Sequence, residues 1–550
     1  MNMRSLLRCL FFAVSAALIP LVAQARVDLS SATIADLQAA MQAGTLTSEK
    51  LVHLYLARIE AYDEKGPTIN AVTLVNPKAL DEARALDAER KAGKVRGALH
   101  GIPILLKDNI DVLGMPTTAG SQLLAGSLPP DDAFVARKLV AAGAIVLAKV
   151  NLSEWAGGGG SVSGATDPAI VAAGRVPNGY STAGGQTRNP HDLARGPAGS
   201  SGGTGAGIAA VFGQFGLGTD TAASVRGPAN AGGVFGMKTT HGLVSRDGVV
   251  PLALSFDTVG PLARSTYDIA AALDAMAGID PDDDSTLKSA GRTPASYIDY
   301  LKPGALRGAR IGIARDFFGR DEQVDAVVEK AIAKLRELGA IIVDDVRIPP
   351  TVQALRQPLY NMVRSAEFKT QVGDYLATTG PAYPKNIYDL ARLANDPATG
   401  YRSPGKAVGL KYQAETALEL HDPVYVATRD VGIAYVLEAM EGLFANHRLH
   451  ALLYPTSPTP VSLIEEPAEE RPARGGGGGG GGPLNIANIT GFPDLVVPAG
   501  MSERGLPVTF SLMGRAFTEG RLLAFAYDYE QATKPVKLPK HTPALPGESL

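Results

Sequence analysis

Short apolar runs that alternate with helix-like stretches constrain this chain more than any other feature. Residues 101–106 read Gly-Ile-Pro-Ile-Leu-Leu, an apolar run of the length of one buried strand. A helix is predicted near 132–142 and a second strand over 144–148. Helices are also predicted at 265–280 and 320–340, the latter flanked by strands at 310–314 and 340–344. Strands that take turns with helices predict an α/β fold, because each helix can cover a sheet that buries both faces. Before this core, residues 33–95 place Leu37, Met41, Leu51, Leu54, Tyr55 and Ile59 near helical spacing and predict a mostly helical start. Residues 355–450 predict a helical elaboration, and 484–532 a return to strand and helix.

The N-terminus has a different texture. Arg4 and Arg8 precede an apolar run over 10–22, followed by Ala23-Gln24-Ala25. That order of charge, apolar run and small residues predicts a secretory signal over 1–25, cleaved after Ala25. The mature chain would then be exported, periplasmic or secreted, with no membrane contact after cleavage. Cys9 is the single cysteine and would leave with the signal, so neither a disulfide nor a thiol nucleophile is expected. With 52 Lys and Arg against 55 Asp and Glu, the chain lacks the cationic excess that binding to phosphates requires, and no nucleic-acid partner is expected. The rest, 26–550, shows no linker that would divide it, and is expected to form one unit with a core at 100–265. Eight consecutive glycines, Gly475 to Gly482, end a segment at 466–482 that reads as a surface loop.

Residues 156–207 are dominated by Gly, Ser and Ala, a composition that lets backbone approach closely and adopt positive φ. Within it, Gly199-Ser200-Ser201-Gly202-Gly203 matches the Gly-x-Ser-x-Gly form of a nucleophile elbow. The preceding residues, Asp192 to Pro197, are loop-like rather than the apolar strand an elbow follows. None of the eight histidines forms a His-Glu-x-x-His pair, and no Gly-x-x-x-x-Gly-Lys-Ser/Thr loop occurs, so neither zinc catalysis nor phosphoryl transfer is supported. Two further segments give the Gly-Ser core a context: Leu105-Leu106-Lys107-Asp108-Asn109 upstream, and Gly218-Thr219-Asp220-Thr221-Ala222-Ala223-Ser224-Val225-Arg226-Gly227 downstream.

Together these segments resemble the amidase signature family. The resemblance rests on Lys107 after an apolar run, the Gly-Ser-Ser-Gly-Gly core, and Ser224 standing 24 residues beyond Ser200. It continues through Gly236 to Arg246, Asp257 to Arg264, Asn488 to Pro493 and Gly505 to Val508, and so covers nearly the whole mature chain. It implies a large twisted mixed β-sheet surrounded by α-helices, and hydrolysis of carboxamide C–N bonds without metal or organic cofactor. It also implies roles: Ser224 as nucleophile, Ser200 as a bridging serine after a cis peptide bond at Gly199–Ser200, and Lys107 as base. Lysine can take that part only when neutral, which burial promotes. Backbone N–H groups of Thr221, Ala222, Ala223 and Ser224 would bind the oxyanion. Many relatives carry glycine where this chain has Ala222-Ala223, a substitution that leaves the donors intact when φ stays negative.

The residues around 35–44 and 184–190 are similar to bacterial peptide amidases in particular, which makes peptide C-terminal amides one candidate substrate beside simple amides, aryl acylamides and esters. Another branch releases ammonia for tRNA-bound glutamate in a multisubunit complex, and a secretory signal speaks against it. The expected partner is a small-molecule or peptide amide, and the expected state a monomer or homodimer. Two readings of other classes stand beside this one: a Ser–His–Asp hydrolase using Ser201 with His421 or His447, and a binding protein without activity. Ser201, Asp220 and Arg226 are expected to brace local structure. Asp108 and Asn109 serve equally well as orienters of Lys107 or as turn formers, and Trp155 is expected in the core.

Overall fold

The computed structural model describes residues 28–158, 168–174, 176–465 and 484–550. The expected signal at 1–25 and the glycine run at 475–482 lie outside the described residues. The strands are β1 (Val72–Val75), β2 (Pro103–Lys107), β3 (Ile145–Val150), the short pair β4 (Tyr180–Ser181) and β5 (Gly185–Gln186), β6 (Phe215–Asp220), β7 (Phe235–Lys238), β8 (Thr258–Ala263), β9 (Arg310–Ala314), β10 (Ile341–Val346), β11 (Ala451–Pro455), β12 (Asp494–Met501) and β13 (Pro507–Met513). All but β4 and β5 join one sheet of eleven strands, in the order β1-β3-β2-β6-β8-β7-β12-β13-β11-β9-β10. The sheet is mixed: β3, β2 and β6 run parallel, as do β11, β9 and β10, while the strands between them pair antiparallel.

Every residue of β2, β3, β6, β7 and β8 is buried. Strands covered on both faces need no polar alternation, which is why these segments read as continuous apolar or small-residue runs. The α/β expectation and the large mixed sheet with surrounding helices are both met.

The helical start needs a correction. Helices Ile34–Gln42, Ser48–Arg58 and Ala79–Lys91 do form, but Val72–Val75 is a strand between them, paired antiparallel to β3 at the sheet edge. Its Val-Thr-Leu-Val sequence is rich in β-branched residues, and pairing with β3 outweighs the helical context on either side. In the middle of the chain, helices Pro350–Ala377, Ile387–Asn395, Pro404–Thr416 and Ile433–His447 form the expected elaboration. Two apolar clusters attach it to the core. One joins Phe368, Val372 and Leu410 to Trp155 and Leu252. The other joins Tyr360, Val363 and Val436 to Phe256. Trp155 is thus in the core.

Glycine in the 199–218 region serves close packing of protein on protein. A Cβ on Gly203 would lie 2.4 Å from the Asn151 carbonyl oxygen. One on Gly218 would lie 2.6 Å from Ser201 Oγ. The helix Gly202–Ala209 can therefore lie against the sheet at backbone distance, and the residues leading into it, Ser200 and Ser201, meet Lys107 at the end of β2 and Thr219 near the end of β6.

Candidate active site

Lys107 is the last residue of β2, and Thr219 and Asp220 end the adjacent parallel strand β6. Carboxyl ends of neighbouring parallel strands are where open α/β sheets place their ligands. The Lys107 side chain has no solvent exposure. Its Nζ lies 2.8 Å from Ser200 Oγ and 2.7 Å from Thr219 Oγ1. Burial lowers the amine to about 7, against a smaller opposing pull from the carboxylates of Asp257 and Asp220. Near neutral pH a large share of Lys107 is therefore the free amine, which can accept a proton from the hydroxyl beside it.

The two serine-bearing loops are tied together. Ser201 N–H donates to the Ser224 carbonyl (3.1 Å), and Ser153 N–H donates to the Ser200 carbonyl (2.9 Å). The Gly199–Ser200 peptide bond is cis, as the resemblance implied. Ser200 is 4% exposed and Ser224 9%. Among the described residues, the N–H groups of Thr221, Ala222, Ala223 and Ser224 meet no protein acceptor, leaving four backbone donors near the Ser224 hydroxyl. Neither Ala222 nor Ala223 takes a positive φ, so the alanines sit in this loop without left-handed strain. The Ala222 methyl packs on the apolar cluster that contains Phe256 and Tyr360.

A buried ionic network holds the loop from behind. Asp220 accepts from the backbone N–H of Val225 (2.9 Å) and Arg226 (3.3 Å), and from the Arg226 guanidinium (3.0 and 3.1 Å). Arg226 also reaches Asp494 (2.6 Å), Asn488 (2.6 Å) and the Ala222 carbonyl (3.1 Å). Burial alone would raise the Asp220 carboxyl, but the Arg226 guanidinium overrides it and holds it at about 2. Asp220 and Arg226 thus brace the loop, as expected.

Ser201 is fully buried, and its hydroxyl bridges the N–H (3.2 Å) and carbonyl (3.3 Å) of Thr219. His421 is exposed, and His447 lies on the helix Ile433–His447 with its carbonyl accepting from Arg310. Among the described residues no histidine hydrogen-bonds to Ser201, so the Ser–His–Asp alternative has no geometry. Asp108 turns away from Lys107 to pair with Lys149 (3.0 Å), whereas Asn109 Nδ2 shares the Thr219 hydroxyl (3.2 Å). Thr219 is the residue that sequence reasoning missed. The only signal for it was its position just before Asp220.

A narrow crevice lies beside Thr219 and Thr221, walled by Ala156, Val250 and Leu252 among others. Two charged side chains line it, and both are engaged within the protein. Arg246 pairs with Asp283 (2.6 Å), and Asp257 accepts from Thr221 Oγ1 and from two backbone N–H groups.

Residues 50–523 match the family model Amidase. The chain belongs to the amidase signature family. It is an enzyme that acts on amides, as its relatives are amidases and amidotransferases. Among curated amidase relatives, a glutamyl-tRNA(Gln) amidotransferase subunit of Moorella thermoacetica is 37% identical over 509 residues, covering 89% of this chain and 94% of that protein. Among solved amidases, the native peptide amidase from Stenotrophomonas maltophilia superposes with a TM-score of 0.82 at 37% identity, covering 93% of this chain and 99% of that one. The corresponding glutamyl-tRNA(Gln) amidotransferase chain from Thermotoga maritima superposes with a TM-score of 0.66 at 26% identity, covering 93% and 98%.

Proposed function

We propose that this amidase hydrolyses carboxamides through an acyl-enzyme on Ser224, with Ser200 relaying protons to and from Lys107. The observation that carries the reading is the buried Lys107 amine, lowered to about 7 and 2.8 Å from Ser200 Oγ. Ser224 Oγ attacks the amide carbon and gives its proton to Ser200, which passes its own to Lys107. The oxyanion is met by the N–H groups of the 221–224 loop, donors of a kind worth about 10²–10³-fold each. The Lys107 ammonium returns a proton through Ser200 to the departing nitrogen, the C–N bond breaks, and ammonia or an amine leaves. Water then repeats the relay, releases the acid and restores Ser224.

For the substrate we propose peptide C-terminal amides. The likeness to solved peptide amidases supports this, with a TM-score of 0.82 against 0.66 for the Thermotoga amidotransferase chain. The sequence of residues 1–25 supports export, with the mature chain beginning at Arg26.

One panel tests the reading: peptide amides, short aliphatic amides, anilides, aryl esters and glutamine, with ammonia, amine or acid release followed for the parent, Ser224→Ala and Lys107→Ala. Turnover of peptide amides in the parent, lost in both variants, is expected. Preference for glutamine would move the assignment to the amidotransferase branch. Activity retained in Lys107→Ala at neutral pH would remove the relay. N-terminal sequencing of protein from the exported fraction checks the start at Arg26.

A further inference from the structure

Asp257 has no role in the relay, yet its surroundings are unusual for a carboxylate. It lies just before β8, which pairs antiparallel with β6 up to the Asp220–Thr258 pair, so the register sets Asp257 opposite Thr221. Its Oδ1 accepts from Thr221 Oγ1 (2.5 Å), and its Oδ2 accepts from the N–H groups of Leu252 (2.8 Å) and Ala253 (2.9 Å). The residue is 7% exposed, and among the described residues no lysine or arginine forms an ion pair with it. Arg246, the cation of the neighbouring loop, is spent on Asp283. A buried carboxylate held only by neutral donors is costly. An asparagine could make the same contacts without that cost, so the charge calls for an explanation beyond structure.

We propose that Asp257 is a positioning residue of the amide-cleaving site, fixing the oxyanion loop through Thr221 and supplying the negative charge that favours protonation of Lys107 during the reaction. The inference rests on the Ser224–Ser200–Lys107 reading. When Lys107 takes the Ser224 proton it becomes an ammonium in a closed site, where a nearby negative charge acts through little solvent. The charged groups acting on Lys107 are Asp257 and Asp220. Asp220 is already neutralised by Arg226, so Asp257 is the less compensated of the two; burial raises its carboxyl to about 6, so its charge is present above that pH and lost below it. Facing Asp257 are Thr221 and Arg246, with Tyr360 on the helix Pro350–Ala377. Thr221 is the first residue after β6, and its hydroxyl is the link by which Asp257 holds the start of the loop that carries Ala222, Ala223 and Ser224.

Charge and position separate in two variants. Asp257→Asn keeps the shape, with its amide oxygen on the two backbone N–H groups and its NH₂ on Thr221 Oγ1, and removes the charge. Its acid limb of kcat/KM is expected to move down by about 1 pH unit, because the ammonium of Lys107 loses support. Thr221→Val keeps the charge and removes the tether. It is expected to lower kcat about 10-fold with KM within about twofold and the limb unmoved, and Thr221→Ser should restore kcat. An acid limb that stays put in folded Asp257→Asn overturns the electrostatic part, and an unchanged kcat in Thr221→Val overturns the tether. Should Asp257→Asn not fold, the Thr221 pair decides the proposal alone. Failure of the underlying relay is distinct, since a parent acid limb that persists in Lys107→Ala marks it whatever the Asp257 variant does.

Discussion

The pH dependence of the parent enzyme is the most direct consequence of where Lys107 sits. With the amine lowered to about 7, roughly half is neutral at pH 7, about one-tenth at pH 6 and about one-hundredth at pH 5. An exposed lysine would be neutral in only about one molecule in 3,000 at pH 7, so burial raises the supply of usable base by ~10³. kcat/KM should therefore rise with pH below about 6, bend near 7 and level off above it. The assay is ammonia release at substrate well below KM, from pH 5 to 9 at constant ionic strength, with melting temperature checked at each pH. Lys107→Ala should lose about 10²–10⁴ of the plateau rate and the limb with it. Lys107→Arg should be as inactive although it keeps a cation there, because a guanidinium does not deprotonate in this range. A flat profile between pH 6 and 8, or a limb unchanged in Lys107→Ala, would refute the reasoning.

Ser224→Ala should abolish covalent labelling by a fluorophosphonate, read by intact-protein mass, whereas Ser201→Ala should still be labelled. Arg226→Met leaves Asp220 and Asp494 without their cation, and should cost about 3–5 kcal/mol, read as a lower urea midpoint. Asp220 is held at about 2, below its unfolded value, so it contributes about 2–3 kcal/mol that is fully present above pH ~4 and is lost as pH falls through about 2. Acid unfolding of the parent, followed by circular dichroism, should therefore steepen below pH 4. Arg58→Ala should free the C-terminal tail to proteolysis, because its buried guanidinium holds Glu548 (2.8 Å) and the carbonyls of Thr542 (2.8 Å) and Pro543 (3.1 Å). An intact tail under mild protease would count against it.

The local elements were legible because their signals are local. The runs that became β2, β3, β9 and β10 are continuous or nearly continuous in apolar residues, and the helices Thr266–Met276 and Glu322–Glu337 keep helical spacing. The spacing of Lys107, Ser200 and Ser224 was enough to indicate the family. Strand β1 was not legible, since four residues between helices carry too little pattern and its pairing with β3 lies more than 70 residues away.

The chemistry of the site divides in the same way. Sequence alone determined which residue types stand at 107, 200 and 224, and that the loop before Ser224 carries alanines. Tertiary structure decided that the Lys107 amine is out of water, that Thr219 is its second partner, and that Ala222 and Ala223 keep negative φ. It also decided that Arg226 closes on Asp494, 268 residues away. A pKa is set by everything that surrounds a group, and an ion pair by strands brought side by side in a sheet. Neither exists until the whole chain has packed.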